Sequence, residues 1–481
     1  MSTKDLGITV KKADDLSEWY TQVVSKAQLA DYSSAKGFIV VMPYGFSIWE
    51  NIKAHFDRRI KEIGHQNAYF PLLIPERLLK KESEHFEGFT PEVFWVTHSG
   101  NNELGERLAI RPTSETIINE AYSRWVKSWR DLPVLINVWN SVLRAEITST
   151  KPFIRTTEFL WQEGHTVHAT EEEAEKEVMT ILEIYRQLVE DQLAISVLVG
   201  KKTEAEKFKG AVYTTTLEAM MPDGKAIQMG TSHHLGQNFS KPFEIKFLGK
   251  DEKEHFAWTT SWGISWRLIG AMIMAHGDDK GLVLPPKVAP IQVVFVPIHY
   301  KESDKEAILQ TVHHIARSLE KDSIRTFIDD REQYTPGWKY HEWEMKGVPL
   351  RVEVGPRDMQ SKQITVVRRD TGKKEAVPET DAITQIVSLL DEIQRSLLQK
   401  AKDGQHKLTT TATNMKELTH AIETTGGFVK GFLSEVNDCE EKIHRETGAT
   451  VRIVPFKESG RGKCVLCGTP NSKEVYFARS Y

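Results

Sequence analysis

Between Gly45 and Gly64 the apolar residues Ile48, Ile52, Phe56, Ile60 and Ile63 recur every three or four positions, which predicts an amphipathic helix closed by a glycine. The next stretch, "NAYFPLLIPE", reads as a short apolar strand broken by Pro71. Proline donates no ladder hydrogen bond, so this strand belongs at an edge or an interface. From Asn140 to Thr166, "NSVLRAEITSTKPFIRTTEFLWQEGHT" suggests two strands around a polar loop holding Lys151, Pro152 and Arg155. On strands, Arg144 and Glu146 share one face, and Trp161, Glu163 and His165 share another. Charges thus occupy positions where apolar side chains are expected, and burying them costs several kcal/mol unless each meets a partner or a ligand.

"TEEEAEKEVMTILEIYRQLVE" predicts a helix with Thr170 and Glu173 as a capping box and acids in the first turn. "WTTSWGISWRLIGAMIMAHG" reads as strand or loop, then a helix apolar on nearly all sides and hence buried. "LPPKVAP" (Leu284 to Pro290) marks a boundary. Beyond it, "IQVVFVPI", "IRTFIDD" and "PLRVEV" read as strands, with helices near 302–320, 337–346 and 380–400 and a hairpin around Asp370–Gly372. That alternation predicts a compact α/β domain. "KDGQHKLTTTATN" reads as a polar linker, and Met415 to Tyr481 as a small third unit holding all three cysteines. The chain therefore divides into 1–287, 288–402, a 403–414 linker and 415–481.

Composition narrows the class without naming a function. A chain of 481 residues, 40% hydrophobic and 27% charged, is ordinary globular protein of about three domains. Its net charge of −4 gives no global bias toward nucleic acid, so RNA contacts must come from local patches. Three cysteines cannot frame a disulfide scaffold and point to a reducing compartment. Met1 to Asp15 lacks an apolar core and no stretch approaches a membrane span, so a protein neither secreted nor membrane-spanning is expected.

The chemistry lies in three stretches. In "LAIRPTSETIINEAY", Thr113 can cap the following helix with Glu115 in its first turn; alternatively the hydroxyl and carboxylate hold a small ammonium group. For the hairpin, a solvated ribbon competes with a ligand site, but "VLINVWNSVL" is too apolar for a solvated strand. An arginine among such residues suits an anion, which its planar fork grips in two places. Arg267 repeats the pattern at the head of the apolar helix. Two separated arginines in apolar frames suggest a polyphosphate clamped at both ends, and no Walker-type glycine loop is present.

Together, "LRAE" with its returning strand, "GISWRLIG", and the long helix followed by Pro71 resemble the three motifs of class II aminoacyl-tRNA synthetases. "RPTSET", "RTTEFLWQEGHT", "QMGTSHHLGQNF", "SWGISWRLIGAMIMAHGDDKGLVLPP" and "GVPLRVEVGPRD" resemble the prolyl-tRNA synthetase family, in its archaeal/eukaryote-like form, over nearly the whole chain. The resemblance implies a mixed α/β fold. Its parts would be an antiparallel-sheet catalytic domain flanked by helices, a compact α/β anticodon-binding domain and a small C-terminal α/β domain. It also implies ATP-dependent charging of tRNA(Pro) with L-proline through an adenylate, with Mg²⁺, in a cytoplasmic homodimer joined at the Pro71 region.

By matching positions, Arg144 and Arg267 would be catalytic, on the α- and γ-phosphates of ATP, and Arg144 would also meet the substrate carboxylate. Glu146, Arg155, Thr156, Phe159, Gln228 and Thr231 would complete the nucleotide site, with Phe159 under adenine. Thr113 and Glu115 would receive the proline ammonium, with Trp161, His165, His233 and Ser265 shaping the pocket. Tyr340 would stack in the anticodon domain, with Glu344, Arg351, Arg357 and Asp358 reading base edges. The interval between the second and third motifs is too short for a hydrolytic insert domain of the kind some members carry. The family's zinc-bearing members place four cysteines in the tail. Here Cys439, Cys464 and Cys467 match three of them, and Ser434 stands at the fourth. The closing "FARSY" resembles the family's C-terminal tyrosine and implies a tail packed back near the active site.

Overall fold

The computed structural model describes residues 7–83, 92–147, 149–299, 302–435, 438–457 and 459–481. Its centre is an eleven-stranded sheet that runs without a break from the catalytic region into the C-terminal unit. In chain order the strands that the first region contributes to this sheet are β1 (Gln66–Asn67), β2 (Val134–Leu143), β3 (Glu158–His168), β4 (Val197–Lys201), β5 (Tyr213–Met220), β6 (Ala226–Gly236) and β7 (Trp258–Ser265). The order across this part is β4-β5-β6-β7-β3-β2-β1, antiparallel except for the β1–β2 pair. Helices α1 (Leu16–Lys26), α2 (Pro43–Glu62), α3 (Glu115–Trp125), α4 (Glu171–Gln187) and α5 (Arg267–His276) belong to this region. The apolar stripe of α2 (Ile48, Ile52, Phe56 and Ile60) is fully buried in one core with Trp262 and most of α5.

The second unit is a five-stranded sheet of β8 (Val293–Pro297), β9 (Thr326–Ile328), β10 (Leu350–Val354), β11 (Gln363–Arg368) and β12 (Lys374–Pro378), in the order β9-β8-β10-β11-β12. Helices α6 (Glu302–Lys321), α7 (Pro336–Met345), α8 (Pro356–Ser361) and α9 (Ala382–Lys407) complete it. The C-terminal unit adds β13 (Thr409–Thr411), β14 (Phe428–Leu433), β15 (Thr450–Pro455), β16 (Lys473–Ala478) and α10 (Cys439–Thr447). Its β15 pairs with β4, with Val454 opposite Lys201 and Pro455 opposite Gly200. The backbones approach so closely there that a Cβ on Gly200 would sit 2.4 Å from the Val454 carbonyl oxygen.

Several expectations from sequence are corrected. The hydrophobic alternation of β2 stops at Leu143, so Arg144 and Glu146 lie in the turn beyond the strand rather than on one strand face. Strand structure in "NAYFPLLIPE" is confined to its first residues and to Leu73–Pro75, and Pro71 sits in the irregular link between. Ser114, not Thr113, occupies the N-cap position of α3, and its side chain makes no cap bond. At α4 the Thr170 hydroxyl accepts from the Glu173 N–H, but the Glu173 carboxylate reaches back to the N–H of Ala169 instead of Thr170. The supposed linker is the end of α9 and then β13, which pairs in parallel with β14. A solvated helix end and three threonines carry the same polar composition as a linker, which is why sequence misread them.

Candidate active site

Two cavities meet on the face of the sheet lined by β3, β5, β6 and β7. The first, of about 250 Å³, is lined by Thr113, Glu115, Arg144, Phe159, Trp161, Glu163, His165, Gln228, Thr231, His233, Ser265 and Arg267, among others. The second, of about 190 Å³, holds Arg144, Glu146, Arg155, Thr156, Phe159, Ser265, Arg267 and Tyr481. Arg144, Phe159, Ser265 and Arg267 wall both, so every residue assigned from sequence to proline or ATP lies in one continuous site.

Strand geometry explains this convergence. Trp161, Glu163 and His165 alternate along β3 and so project from one face. On β6 a bulge inserts Met229, which brings Gln228 and Thr231, three apart in sequence, opposite Glu218 and Thr216 of β5. His233 lies opposite Thr214, whose hydroxyl is 2.9 Å from the imidazole Nδ1. Arg267 is the first residue of α5, directly after β7, and its Nε donates to the Ile154 carbonyl at 3.4 Å. The Arg144 guanidinium stacks 5.1 Å from the Phe159 ring and 5.9 Å from Trp161.

Glu163 is the hub of the inner wall. Its carboxylate accepts from the Ser114 N–H at 3.1 Å, the Ser114 hydroxyl, the Asn140 amide at 2.8 Å and His165 Nε2 at 3.1 Å. Burial opposes its ionisation, but the His165, Ser114 and Asn140 hydrogen bonds hold the carboxyl below its ordinary range. For His165 burial likewise favours the neutral form, yet the bond to Glu163 and the charges of Glu115 and Glu163 raise its pKa. His233, buried and facing that imidazolium, is pushed down to about 3 and stays neutral. Thr113 donates its hydroxyl to Glu115, so two buried carboxyl side chains, Glu115 and Glu163, stand around the single imidazole of His165. The inner wall is rich in acidic side chains.

The outer wall carries the opposite sign. Burial lowers the pKa of Arg144, with Glu146, Glu115 and Glu163 acting against it. Burial and then the charge of Arg144 bring Arg267 down to about 10. Among the described residues neither guanidinium is in an ion pair, so both remain available to an anion. Tyr481, at the end of the C-terminal unit, closes the second cavity; its N–H bonds the Ala226 carbonyl and its hydroxyl donates to Asp223 at 2.8 Å. The tail does pack back on the site.

Sequence reasoning placed Glu163 on the right face but gave it no role; the alternation of β3 carried that signal. Arg111 donates to the carbonyls of Ser141 and Phe70, each at 2.9 Å, and so pins β2 beside "RPTSET". Thr156 lines the second cavity, but its hydroxyl is tied to the Glu158 carbonyl at 2.6 Å.

In the second unit Tyr340 lies against the Arg351 guanidinium (4.1 Å), and Arg351 reaches Glu344 at 3.4 Å and Glu353 at 3.1 Å. Asp358 is spent elsewhere, accepting from the Gly355 N–H and the Thr365 hydroxyl, each at 2.9 Å, at the start of α8 beside Arg357. In the tail the sulfurs of Cys439, Cys464 and Cys467 lie within 4.8 Å of one another. Three thiols therefore converge where a closed zinc site needs four donors, and the fourth cysteine position of the motif is Ser434 in this sequence. Between the second and third motifs the chain builds α4, β4, β5 and β6 with short additions, and no separate domain appears among the described residues.

The inner wall predicts a pH signature. The His165 contribution to stability is fully present below its ordinary pKa of 6.5 and is lost as pH rises through its raised folded value. The Glu163 contribution is present above 4.5 and is lost as pH falls through its depressed folded value. The pair therefore stabilises most between those pH values. His165→Gln should cost most there, with the deficit shrinking toward alkaline pH in melting curves of both proteins. Parallel curves across pH would contradict the pairing.

A family model for the tRNA synthetase class II core domain (G, H, P, S and T) matches residues 94–276, one for an anticodon binding domain matches 292–389, and one for the prolyl-tRNA synthetase C-terminus matches 415–481. The chain is 56% identical over 476 residues to a proline–tRNA ligase of Cenarchaeum symbiosum, covering 99% of this chain and 100% of that protein. It is 51% identical to one of Natranaerobius thermophilus over 98% of this chain and 97% of the relative. It is 50% identical to a proline–tRNA ligase 2 of Clostridioides difficile with the same coverage.

Proposed function

The chain belongs to the prolyl-tRNA synthetase family of class II aminoacyl-tRNA synthetases, and from that premise we propose how its two cavities divide the work. The enzyme attaches L-proline to tRNA(Pro) through a prolyl-adenylate, releasing pyrophosphate and AMP. The observation that carries the division is the split in side-chain character: two carboxyl groups, Glu115 and Glu163, on the inner wall, and two guanidiniums without an ion-pair partner among the described residues on the outer.

The proline ammonium sits against Glu115, with Thr113 orienting that carboxylate, and the ring fills the space between Trp161, His165, His233 and Ser265. The proline carboxylate turns to Arg144, which also holds the α-phosphate. Phe159 supports adenine, Glu146, Arg155 and Thr156 flank the nucleotide, Gln228 and Thr231 face the adenylate, and Arg267 takes the γ-phosphate.

The carboxylate attacks the α-phosphorus in line and pyrophosphate leaves. No general base is needed, because the nucleophile is already an anion. Rate enhancement then comes from positioning and charge neutralisation. Mg²⁺ enters with ATP and adds to that neutralisation. In the second step the terminal ribose hydroxyl of tRNA attacks the activated carbonyl, and AMP departs. Alanine keeps the ammonium and carboxylate and fits within the space of the ring; the methylenes it lacks are worth about 1–3 kcal/mol each, so it should be rejected incompletely.

We assign residues 1–287 to catalysis, 288–402 to the anticodon and 415–481 to the C-terminal unit. Tyr340, Glu344 and Arg351 form the base-reading cluster, since guanine edges suit an arginine and a carboxylate held side by side. Arg357 borders it; Asp358 holds the loop rather than a base. Tyr69, 76% exposed, with exposed Ile63 and Leu72 around Pro71, supports a homodimer joined at this face. The cysteine trio would hold a structural zinc only with one further donor from outside the thiols. No helix among the described residues could cross a membrane, and three cysteines that form no disulfide favour the cytoplasm.

Arg351→Ala tests the division of labour. Proline-dependent exchange of pyrophosphate into ATP should stay within about twofold of the parent, while kcat/KM for tRNA charging falls roughly tenfold to a hundredfold. Equal losses in both assays would contradict the anticodon assignment.

A further inference from the structure

Behind the Gln228–Thr231 wall lies a buried charge cluster that the reaction scheme does not use. Cross-strand partners share a sheet face, so Thr216 and Glu218 of β5 stand beside Thr231 and Gln228 of β6. The Glu218 carboxylate is wholly buried. It accepts from Lys202 at 2.6 Å, from the Thr216 hydroxyl at 3.2 Å, and from Arg452 through three bonds of 3.0–3.1 Å. Lys202 follows β4 within the catalytic region, whereas Arg452 lies 234 residues beyond Glu218, on β15 of the C-terminal unit. The same guanidinium is 3.7 Å from Glu206, which lines the first cavity. Glu440 of α10 accepts from the Thr203 hydroxyl at 2.8 Å, a second tie across the seam.

We propose that Arg452 is a positioning residue for the ATP subsite, delivered by the C-terminal unit and acting through Glu218. This rests on the reading of the Gln228–Thr231–Arg267 side as the nucleotide end. A buried carboxylate must be matched by cations. With Arg452 in place, Glu218 is neutralised away from the cavity, and Arg267 is left for phosphate. Without it, Lys202 alone faces the two carboxylates of Glu218 and Glu206, and the one left unmatched competes for Arg267. The charges of both Glu218 and Arg452 are felt at Arg267, in opposite senses, which shows that the cluster is electrically within reach. The fork geometry matters as well as the charge, because Arg452 makes its bonds to Glu218 from two different nitrogens.

The test is pyrophosphate exchange into ATP by the full-length protein, with ATP and proline titrated separately. Arg452→Met should raise the ATP KM about tenfold and leave the proline KM within about twofold. Arg452→Lys should move the ATP KM in the same direction by less. Adding Glu218→Gln to Arg452→Met removes the unmatched carboxylate and should restore much of the ATP KM, although the double variant lacks more native bonds than either single one. A purely structural role predicts the reverse: lower active fraction and melting temperature, unchanged ATP KM, and a double variant worse than either. An ATP KM unmoved in both Arg452 variants, or equal rises for ATP and proline, would overturn the proposal. Absence of proline-dependent exchange in the unsubstituted protein would overturn the nucleotide reading beneath it.

Discussion

Arg144→Ala should lower kcat/KM for proline-dependent pyrophosphate exchange by roughly a thousandfold, the upper end for removing one preorganised donor from a developing anionic centre. Among the described residues no other cation both lines the two cavities and lies against the Phe159 and Trp161 rings, so none stands ready to take its place. The effect should fall mainly on kcat, because the phosphorus gains a fifth oxygen only in the transition state. Arg144→Lys should recover little. A single ammonium cannot span the substrate carboxylate and the α-phosphate at once, as the planar fork does. Steady-state exchange kinetics on both variants check this, and a loss under tenfold for the alanine variant would remove Arg144 from the reaction centre.

Glu163→Gln should be the most destabilising single change in the site. The carboxylate takes four donors from three separate parts of the chain: the turn before α3, β2 and its own strand. Glutamine retains one acceptor oxygen and turns an amide toward donors that need an acceptor. It also removes the carboxylate bonded to the buried His165 ring. Breaking a buried pair from one side costs about 3–5 kcal/mol. Denaturant unfolding should show a loss of that order, against almost none for the exposed control Glu172→Gln on α4. Proline KM should rise as well, since Ser114 sets the backbone that presents Thr113 and Glu115. A loss below about 1 kcal/mol would mean that the four bonds are not jointly maintained.

The parts legible from sequence were those with local periodicity. The apolar stripe of α2, the uniform apolarity of α5, the alternation of β3 and the β–α rhythm of the second unit each appear where expected. Arg144 and Arg267 could be singled out because a cation in an apolar frame is visible in one dimension. What sequence reasoning missed is non-local. Nothing near Arg111 signals that it binds two carbonyls from different elements, and nothing near Arg452 signals a carboxylate 234 residues earlier. The bulge that aligns Gln228 with Thr231 has no composition cue either, since it depends on the partner strand. Element ends were the other weak point. Alternation continues on paper past Leu143, but the chain turns there, with the Arg144 N–H still closing the hairpin on the Thr157 carbonyl at 2.8 Å.

The central claim is that the negative inner wall selects proline and the positive outer wall activates it with ATP. The most direct measurement is exchange of labelled pyrophosphate into ATP by the purified full-length protein, supplied in turn with proline, threonine, serine and alanine. Strong exchange with proline, weak exchange with alanine and none above background with threonine or serine is the predicted result. Exchange that is absent with proline, or equally strong with threonine, would contradict it.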